Sequence, residues 1–496
     1  MLRRLFRQSG TYALANVVAK LSGFVLMAYY GDPGILPKAD FGLLGELNAV
    51  MMLTMLVAGI GLPLGIIRFA SNPTLDAADR AAVPVTALVL SAVSGAAMMA
   101  LGWIWAGPLA EALQIGAERA AVMRWLSVFV GFKTVSEVSY TVLRQRERVG
   151  TFALVGAAEA ALLVGAVIVF LLDGQGLAGV MKGYALSAAV TASIMTPLLL
   201  RSVSRSVRWS LVGPMMTFGL PLIASGLASR FLNLGDRFLL IRMLGPEATA
   251  PYEWAARFGG VVNTLLVQSF VLAFTVLGLK ALDRDGSPEL HRQSFRHFAA
   301  LAGWAVLGLG LFAPDVSRLL TDVPAYIETE GLVVLTAGGF AFYGLYYVVV
   351  NVLYAVGRTR AVAASVGAAA LLNLVLNLAL IPTLGVTGAA VATLVSYAVL
   401  AVGTARLAQA STPVDYSWRA LGVVVVLTAG LWGLGVPTAG WALPARLAAR
   451  AALALAYLPG LWVAGVYGAD DWARARALVA RREHTRSTED RVPPAR

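Results

Sequence analysis

The chain alternates long apolar segments with short polar ones. Apolar runs of about 18 or more residues recur along nearly its whole length, and each can cross roughly 30 Å of hydrocarbon as a helix. Strands of a transmembrane barrel would alternate over about ten residues, whereas these runs are apolar all round. The seventh run is long enough to need a tilt or a break, for which Gly219 and Pro221 are candidates. The pattern predicts about fourteen transmembrane helices, at 9–30, 43–67, 83–106, 120–141, 151–172, 178–200, 212–241, 251–281, 297–320, 330–355, 361–381, 387–408, 418–436 and 446–467.

Composition places these runs in a lipid bilayer. Of the 496 residues, 58% are hydrophobic and only 13% are charged, and the mean hydropathy is +0.75. One soluble core could not bury that much apolar surface, so we predict an all-α polytopic membrane protein. The first run follows Arg3, Arg4 and Arg7. It is too long for a signal peptide and no A-x-A site follows it, so we interpret it as a retained helix.

Basic residues alternate between the two ends of the predicted helices. With the N-terminus inside, the inner segments carry most of the Lys and Arg, while the outer loops carry roughly one each. The inner group comprises Arg3, Arg4, Arg7, Arg80, Arg144, Arg146, Arg148, Arg201, Arg205, Arg208, Lys280, Arg284, Arg292, Arg296, Arg358, Arg360, Arg406 and the tail from Arg474. The positive-inside rule therefore predicts that both termini are cytoplasmic. It also explains the net charge of +12 as a topology signal, so no nucleic-acid partner is expected.

The two halves of the chain share short sequence matches. Residues 176–179 (Gly-Leu-Ala-Gly) correspond to 385–388 (Gly-Val-Thr-Gly). In the same way, Val142, Leu143 and Arg148 correspond to Val352, Leu353 and Arg358. Six helices separate the matching positions, and six is even, so the two halves have the same orientation in the membrane. We predict two six-helix lobes forming a parallel repeat, plus an added C-terminal helix pair with almost no charge in its spans. The predicted domains are a first lobe at 1–208, a second lobe at 209–410, the added pair at 411–469 and a basic cytoplasmic tail at 470–496.

Two stretches resemble a known family of exporters. They are NLGDRFLLIRMLGPEATAPYEWAARF at 233–258 and LYAVGRTRAVAASVGAAALLNLVLNLALIPTLGVTGAAVATLVSYAV at 353–399. Both are similar to the polysaccharide-exporter branch of the multidrug/oligosaccharidyl-lipid/polysaccharide exporter superfamily. The resemblance implies a bacterial flippase in the cytoplasmic (inner) membrane. Its cargo would be an undecaprenyl-pyrophosphate-linked oligosaccharide, moved from the cytoplasmic to the outer leaflet by alternating access. Membrane lipids and the polysaccharide polymerase machinery are the other partners that the resemblance implies.

Such a cargo needs cations for its pyrophosphate and hydrogen-bonding groups for its sugars. In the first helix Tyr12, Asn16 and Lys20 are spaced four residues apart, so they share one stripe. The seventh helix carries a second polar stripe, from Ser225 to Arg237. Arginine suits pyrophosphate because its rigid fork binds phosphate oxygens in pairs. The predicted substrate-binding residues are Lys20, Arg230, Asn233, Asp236, Arg237, Arg257 and Tyr347, with Asp236 orienting one of the arginines.

Several of these residues also have a purely structural explanation. Asp236 and Arg237 fit anchors at the outer membrane interface equally well, and for Arg242 the anchor is the favoured interpretation. Asp236 and Arg237 are adjacent and about 100° apart on the helix, so we do not expect them to neutralise each other automatically. Lys20 and Arg230 lie nearer mid-span. An ionised side chain there costs about 2.5–3.5 kcal/mol unless it faces protein or water, which favours a functional role for both.

Other polar residues in the spans allow two interpretations. Tyr347 belongs to an aromatic stripe with Tyr343 that fits either sugar stacking or helix packing. Lys133 and Glu137 are four residues apart and are predicted to form a structural ion pair. The acidic residues Glu46, Glu159 and Glu253 are open to either of two roles, binding a coupling cation or pairing with a neighbouring base.

Missing motifs narrow the chemistry. The sequence has no G-x-x-x-x-G-K-[ST] motif, so we expect no ATP hydrolysis by the chain itself. Its three histidines lack metal-ligand spacing and it has no cysteine, so neither a metal nor another cofactor is predicted. A membrane glycosyltransferase or polymerase would need a large outer loop or a carboxylate-rich cytoplasmic segment. The predicted loops are too short for either, so we predict no enzyme. Lipid II flippases of peptidoglycan synthesis and cation-coupled multidrug exporters of the same superfamily remain alternatives, although drug cations would be repelled by a cationic cavity.

The charge pattern leads to a topology prediction. Reporters fused after Arg148, Arg208 or Arg296 should be cytoplasmic, and reporters near Glu111 or Asp322 should be external. Reporter activity in intact cells measures this. An inverted result at either outer site would contradict the parallel-repeat interpretation.

Overall fold

The chain is described by a computed structural model. It covers residues 23–146, 148–271, 274, 287–410, 414–468 and 471. Tyr12, Asn16 and Lys20 of the predicted first stripe therefore lie outside the described residues. So do the inner-loop residues Lys280 and Arg284 and most of the predicted C-terminal tail.

The described residues fold into a succession of helices and contain no strand. The main helices are α1 (23–30, its described part), α2 (Lys38–Ala58), α3 (Ala77–Ile104), α4 (Ala120–Gln145), α5 (Val149–Leu172), α6 (Gly176–Ser202), α7 (Val212–Leu244), α8 (Pro246–Val261), α9 (Ser287–Leu320), α10 (Glu330–Ala355), α11 (Thr359–Leu384), α12 (Val386–Gln409), α13 (Trp418–Gly435) and α14 (Leu443–Val463). Short helices at Leu62–Ala70, Ala106–Ala112 and Pro324–Ile327 lie between them, and a π-helical turn at Val262–Val267 continues α8.

Apolar length confirms the polytopic membrane class. Among the described residues, nine helices are long and apolar enough to cross a membrane, and α7 is a tenth if its two bent pieces form one span. The pieces of α7 meet at 43°, immediately after Pro221, so the long seventh run is bent. The predicted count of about fourteen remains approximate. Helix α4 is not among these ten apolar helices, and it carries four charged side chains, Arg124, Lys133, Glu137 and Arg144.

Helix contacts repeat with an offset of six helices. In the first lobe α4 packs on α3 and α6, and α5 packs on α6. In the second lobe α10 packs on α9 and α12, and α11 packs on α12 in the same way. The described helices thus form two lobes of the same topology, as the parallel repeat predicts. The exact domain boundaries remain a prediction.

The glycines of the repeated sequence motif have the same structural roles in both lobes. Gly176 and Gly385 have φ angles of 51° and 58°, a left-handed conformation that favours glycine and allows a tight turn before α6 and α12. A Cβ atom on Gly179 or on Gly388 would lie 3.0 Å from the carbonyl oxygen of Phe170 or 2.3 Å from that of Leu380, respectively. The motif therefore serves the same purpose in each lobe, a tight and closely packed helical hairpin.

The two lobes meet chiefly where α2 crosses α7 and α8. Two glycines of α2 allow this close approach. A Cβ atom on Gly42 would lie 1.9 Å from the carbonyl oxygen of Pro246, and one on Gly45 would lie 2.0 Å from the carboxyl carbon of Glu253. The contact between the lobes at this level consequently depends on the absence of side chains on α2.

The added pair packs on the outside of the second lobe. Helices α13 and α14 contact each other and α9. The expectation that this pair has almost no charge in its spans is wrong. Arg446 and Arg450 of α14 are both buried, and both form ion pairs with Asp315 of α9, at 2.7 and 2.6 Å. Polar contacts as well as apolar packing therefore hold the pair to the lobe.

The α2–α8 crossing gives a stability prediction. Gly42→Ala places a methyl group against backbone atoms of Pro246 that cannot rotate away, so the helices must separate. Overpacking of this kind typically costs about 1–3 kcal/mol. We expect a lower melting temperature of the purified protein, measured by thermal unfolding in detergent. Gly165→Ala is the control, since nothing lies within 4 Å of its added Cβ atom. Equal melting temperatures for the two variants would contradict the proposed contact.

Candidate functional site

Arg237 is the centre of a buried ionic network in the second lobe. Its Nη1 lies 2.8 Å from Asp236 Oδ1, and its Nε lies 3.0 Å from Glu253 Oε1. Tyr252 donates its hydroxyl proton to the other carboxylate oxygen of Asp236. The expectation that adjacent Asp236 and Arg237 would not neutralise each other is wrong, because the long arginine side chain folds back over its neighbour. Two carboxylates on α7 and α8 thus surround one guanidinium.

The network continues through tyrosines to the tenth helix. Tyr397 of α12 donates a hydrogen bond to Asn233 Oδ1. Its ring lies 4.8 Å from that of Tyr343, whose hydroxyl is 3.0 Å from the hydroxyl of Tyr347. The structure therefore connects Asn233 and Tyr347, two predicted site residues, through a packed aromatic cluster. Tyr347 is partly buried and engaged by other tyrosines in this arrangement.

Arg257 occupies a different environment. Its guanidinium carbon lies 5.0 Å from the ring centre of Tyr30 and 5.3 Å from that of Phe41. Its Nε is buried without a hydrogen-bond partner, and no carboxylate of the described residues lies within 4.0 Å of its charged atoms. Glu253, one helical turn away, is paired with Arg237 instead. Arg257 is thus a partly buried cation held by aromatic faces, with donors left over for a ligand.

Two cavities lie beside Arg257. One, of about 440 Å³, is formed mainly by α1, α4, α5 and α6 of the first lobe, so Arg257 reaches into it from the second lobe. The other, of about 280 Å³, lies between Gly23, Phe24 and Met27 of α1 and the part of α8 that follows Arg257. Arg257 therefore lies between the two lobes.

The larger cavity contains an ionic cluster. Lys133 Nζ lies 2.7 Å from Glu159 Oε1 and 3.6 Å from Glu137 Oε1, and Tyr140 donates to the second oxygen of Glu159 at 2.6 Å. The predicted Lys133–Glu137 pair is present, but the shorter contact joins α4 to α5. Spacing within one helix could identify only the first partner, because Glu159 approaches through helix packing.

The remaining predicted site residues are separate from both groups. Arg230 is exposed, and its Nη1 lies 3.4 Å from Met52 Sδ. Arg242 lies 3.3 Å from the buried carboxylate of Glu46 on α2, so it joins the two lobes as well as lying near a helix end. Within the described residues, Arg230, Arg237 and Arg257 do not form one continuous positive surface. Whether each binds substrate remains a prediction.

Comparison with protein families places these features in context. The family described as "Polysaccharide biosynthesis protein" matches residues 5–275, more than half of the chain. The chain belongs to this family. The match includes α7 and α8 with Asp236, Arg237, Glu253 and Arg257, and the family lies in the multidrug/oligosaccharidyl-lipid/polysaccharide exporter (MOP) superfamily. No curated protein sequence matches the chain.

Solved structures of exporters share the fold of this family member. A lipid II flippase, MurJ, in an inward closed conformation is 12% identical with a TM-score of 0.69, covering 91% of this chain and 98% of that one. An inward-facing multidrug resistance MATE transporter of the MOP superfamily is 18% identical with a TM-score of 0.61, covering 81% and 94%. A MOP transporter from Pyrococcus furiosus, described as having a binding pocket of reversed polarity, is 17% identical with a TM-score of 0.59, covering 82% and 95%. The chain thus belongs to the polysaccharide biosynthesis family and has the fold of these exporters.

The Arg237 network gives a prediction that separates structural from functional cations. Arg237→Met leaves Asp236 and Glu253 buried without their guanidinium partner, and breaking such a buried network typically costs about 3–5 kcal/mol. We expect a clear loss of thermal stability in detergent. Arg230→Met on the same helix is the matched control, since Arg230 is exposed and contacts Met52. If both variants unfold at the same temperature, Arg237 is not held as the ion contacts indicate.

Proposed function

We propose that the protein is a flippase for an undecaprenyl-pyrophosphate-linked oligosaccharide. In this proposal the cargo moves from the cytoplasmic to the outer leaflet of the bacterial inner membrane by alternating access of the two lobes. The observation that carries the proposal is Arg257. It is a cation without a carboxylate partner among the described residues, it lies between the lobes, and it lines two cavities.

The chemistry of Arg257 suits a pyrophosphate better than a drug cation. A second cation placed beside its guanidinium would be repelled, whereas a phosphate oxygen would accept hydrogen bonds from donors that now have no partner. Such charge-assisted bonds are roughly twice as strong as neutral ones. Tyr30 and Phe41 lie beside the guanidinium, and its Nε makes no hydrogen bond. Arg257 is therefore already positioned to bind an anion before the cargo enters.

The other charged groups of the large cavity are nearly balanced. Lys133 pairs with Glu137 and Glu159, so this group has one negative charge more than positive, and Arg257 and Arg144, which also line the cavity, leave its lining with a net charge of +1. Arg144 lies near the end of α4 that the charge pattern places at the cytoplasm. In the proposed cycle Arg144 meets the incoming headgroup first, and Arg257 holds its pyrophosphate between the lobes. Lys20, one of the predicted cations, lies outside the described residues.

The lipid II flippase alternative has one specific observation in its favour. The likeness to the MurJ structure extends over 91% of this chain, further than the likeness to the MATE structures. Both cargoes carry a pyrophosphate on an isoprenoid, so the same cation would serve either. Depletion of the protein in its host distinguishes them. Accumulation of a lipid-linked surface-polysaccharide precursor supports the proposal, and accumulation of lipid II with arrest of wall synthesis favours the alternative.

Substitution of Arg257 tests the anion site directly. Arg257→Ala should reduce export of the host's surface polysaccharide by about tenfold or more, since a hydrogen bond to a charged group is worth about 1.5–3 kcal/mol. Arg257→Lys should retain part of the export, because it keeps the charge but loses the bidentate fork. The measurement is polysaccharide export at matched membrane level of the protein. Arg406→Ala, at the exposed end of α12, is the control. Normal export by Arg257→Ala would refute the role of this residue.

A further inference from the structure

A second cationic cluster lies at one end of the second lobe, where α14 packs on α9. We call it the Asp315 cluster, formed by Asp315, Arg318, Arg446 and Arg450. Arg446 Nη2 is 2.7 Å and Arg318 Nη1 is 3.2 Å from Asp315 Oδ1, and Arg450 Nη1 is 2.6 Å from Oδ2. Three guanidinium groups therefore surround one carboxylate. Among the described residues, no other acidic side chain forms an ion pair with this cluster.

The Asp315 cluster contains more positive than negative charges. One carboxylate can neutralise one of the three arginines, which leaves two positive charges in a largely buried position. Arg450 is buried, and Arg446 is only 9% exposed. Removing a charge from water is unfavourable unless an opposite charge or sufficient hydrogen bonds replace the water. The unbalanced charge thus favours an anionic ligand at this place.

The hydrogen bonds of the cluster leave one donor available. Arg446 Nη1 donates to the carbonyl oxygens of Ala439 and Trp441, both at 3.1 Å. Arg450 Nε donates to Thr438 Oγ1 at 3.1 Å. In contrast, Arg446 Nε is buried and has no hydrogen-bond partner. A buried donor without a partner is rare in proteins, and an arginine Nε beside further guanidinium groups is well suited to an anionic oxygen.

The surroundings of the cluster indicate what kind of anion could reach it. Arg318 is the accessible member, with 35% of its side chain exposed. Its neighbour Leu319 is 85% exposed, and Leu443 and Trp441, which precede the arginines of α14, are 53% and 51% exposed. Exposed leucines on membrane helices face lipid chains, and tryptophan marks the level of the lipid headgroups. The accessible side of the cluster is therefore lipid-facing at headgroup depth.

We propose that the Asp315 cluster binds the phosphate of an anionic membrane phospholipid. The phosphate would accept hydrogen bonds from Arg318 and from Arg446 Nε, and its acyl chains would lie against the exposed leucines. Binding would neutralise part of the excess charge and strengthen the attachment of α13 and α14 to α9. The residues of the Asp315 cluster do not line either cavity beside Arg257, so this proposal does not depend on the proposed cargo.

Lipid binding by the purified full-length chain tests the proposal. The probes are phosphatidylglycerol, phosphatidylcholine and inorganic phosphate, each added to protein in detergent, with bound lipid measured by native mass spectrometry. Wild type should retain phosphatidylglycerol in preference to phosphatidylcholine. Arg318→Gln should raise the apparent dissociation constant for phosphatidylglycerol about tenfold, as expected for loss of one charge-assisted hydrogen bond. Arg360→Gln, an exposed arginine on α11 away from the cluster, should leave it unchanged.

Thermal unfolding in the same samples gives a second readout. Phosphatidylglycerol should raise the melting temperature of wild type and of Arg360→Gln more than that of Arg318→Gln. Arg318 is the exposed member of the cluster, so its substitution is the least disruptive to folding. The proposal is overturned if Arg318→Gln and Arg360→Gln lose phosphatidylglycerol equally. It is also overturned if inorganic phosphate alone stabilises wild type as much as the lipid does, since the ligand is then a free anion.

Discussion

An ionised side chain inside a membrane protein is stable only beside a counter-charge, an aromatic face or water, and this requirement organises the structure. Arg237 lies between two carboxylates, and Lys133 does the same in the other lobe. Arg257 relies on the aromatic rings, and its Nε has no partner. The ion pairs of Arg237 and Lys133 join helices to each other. Arg257 has no carboxylate partner among the described residues and lines the cavities, where an anionic cargo would supply the counter-charge.

The same topology supports different chemistry in the two lobes. The first lobe encloses a cavity whose walls carry the Lys133 cluster, so that polar groups of α4 and α5 meet open space. In the second lobe, the Arg237 network and the tyrosines from Tyr343 to Tyr397 fill the corresponding region with direct contacts. The polar groups of the first lobe thus line a cavity, those described in the second lobe contact each other, and Arg257 extends from the second lobe into the cavity of the first.

The contact between the lobes connects packing with this ionic network. Gly45 of α2 lies directly against the carboxylate of Glu253, the partner of Arg237. Arg242 and Glu46 form a second connection between α7 and α2. Because Gly45 has no side chain, α2 of the first lobe approaches α8 closely and covers the carboxylate of Glu253. Any rearrangement that separates α2 from α8 must therefore expose a charged group and remove its cover at the same time.

Hydrophobic periodicity, charge and the repeated glycines by themselves determined the helical membrane class and the duplication, since each depends on local composition or on glycines whose role is fixed by the backbone. The length of the seventh run required a tilt or a break, and the structure decided for a bend after Pro221. The type of residue also indicated which charges needed an explanation. Apart from the Lys133–Glu137 pair, their partners were decided by tertiary structure. Glu159 on α5 pairs with Lys133 on α4, and Asp315 on α9 pairs with Arg450 on α14. Spacing within a helix shows which residues share a face, but the crossing of helices determines which charge finds an opposite charge and which, like Arg257, is left for a ligand.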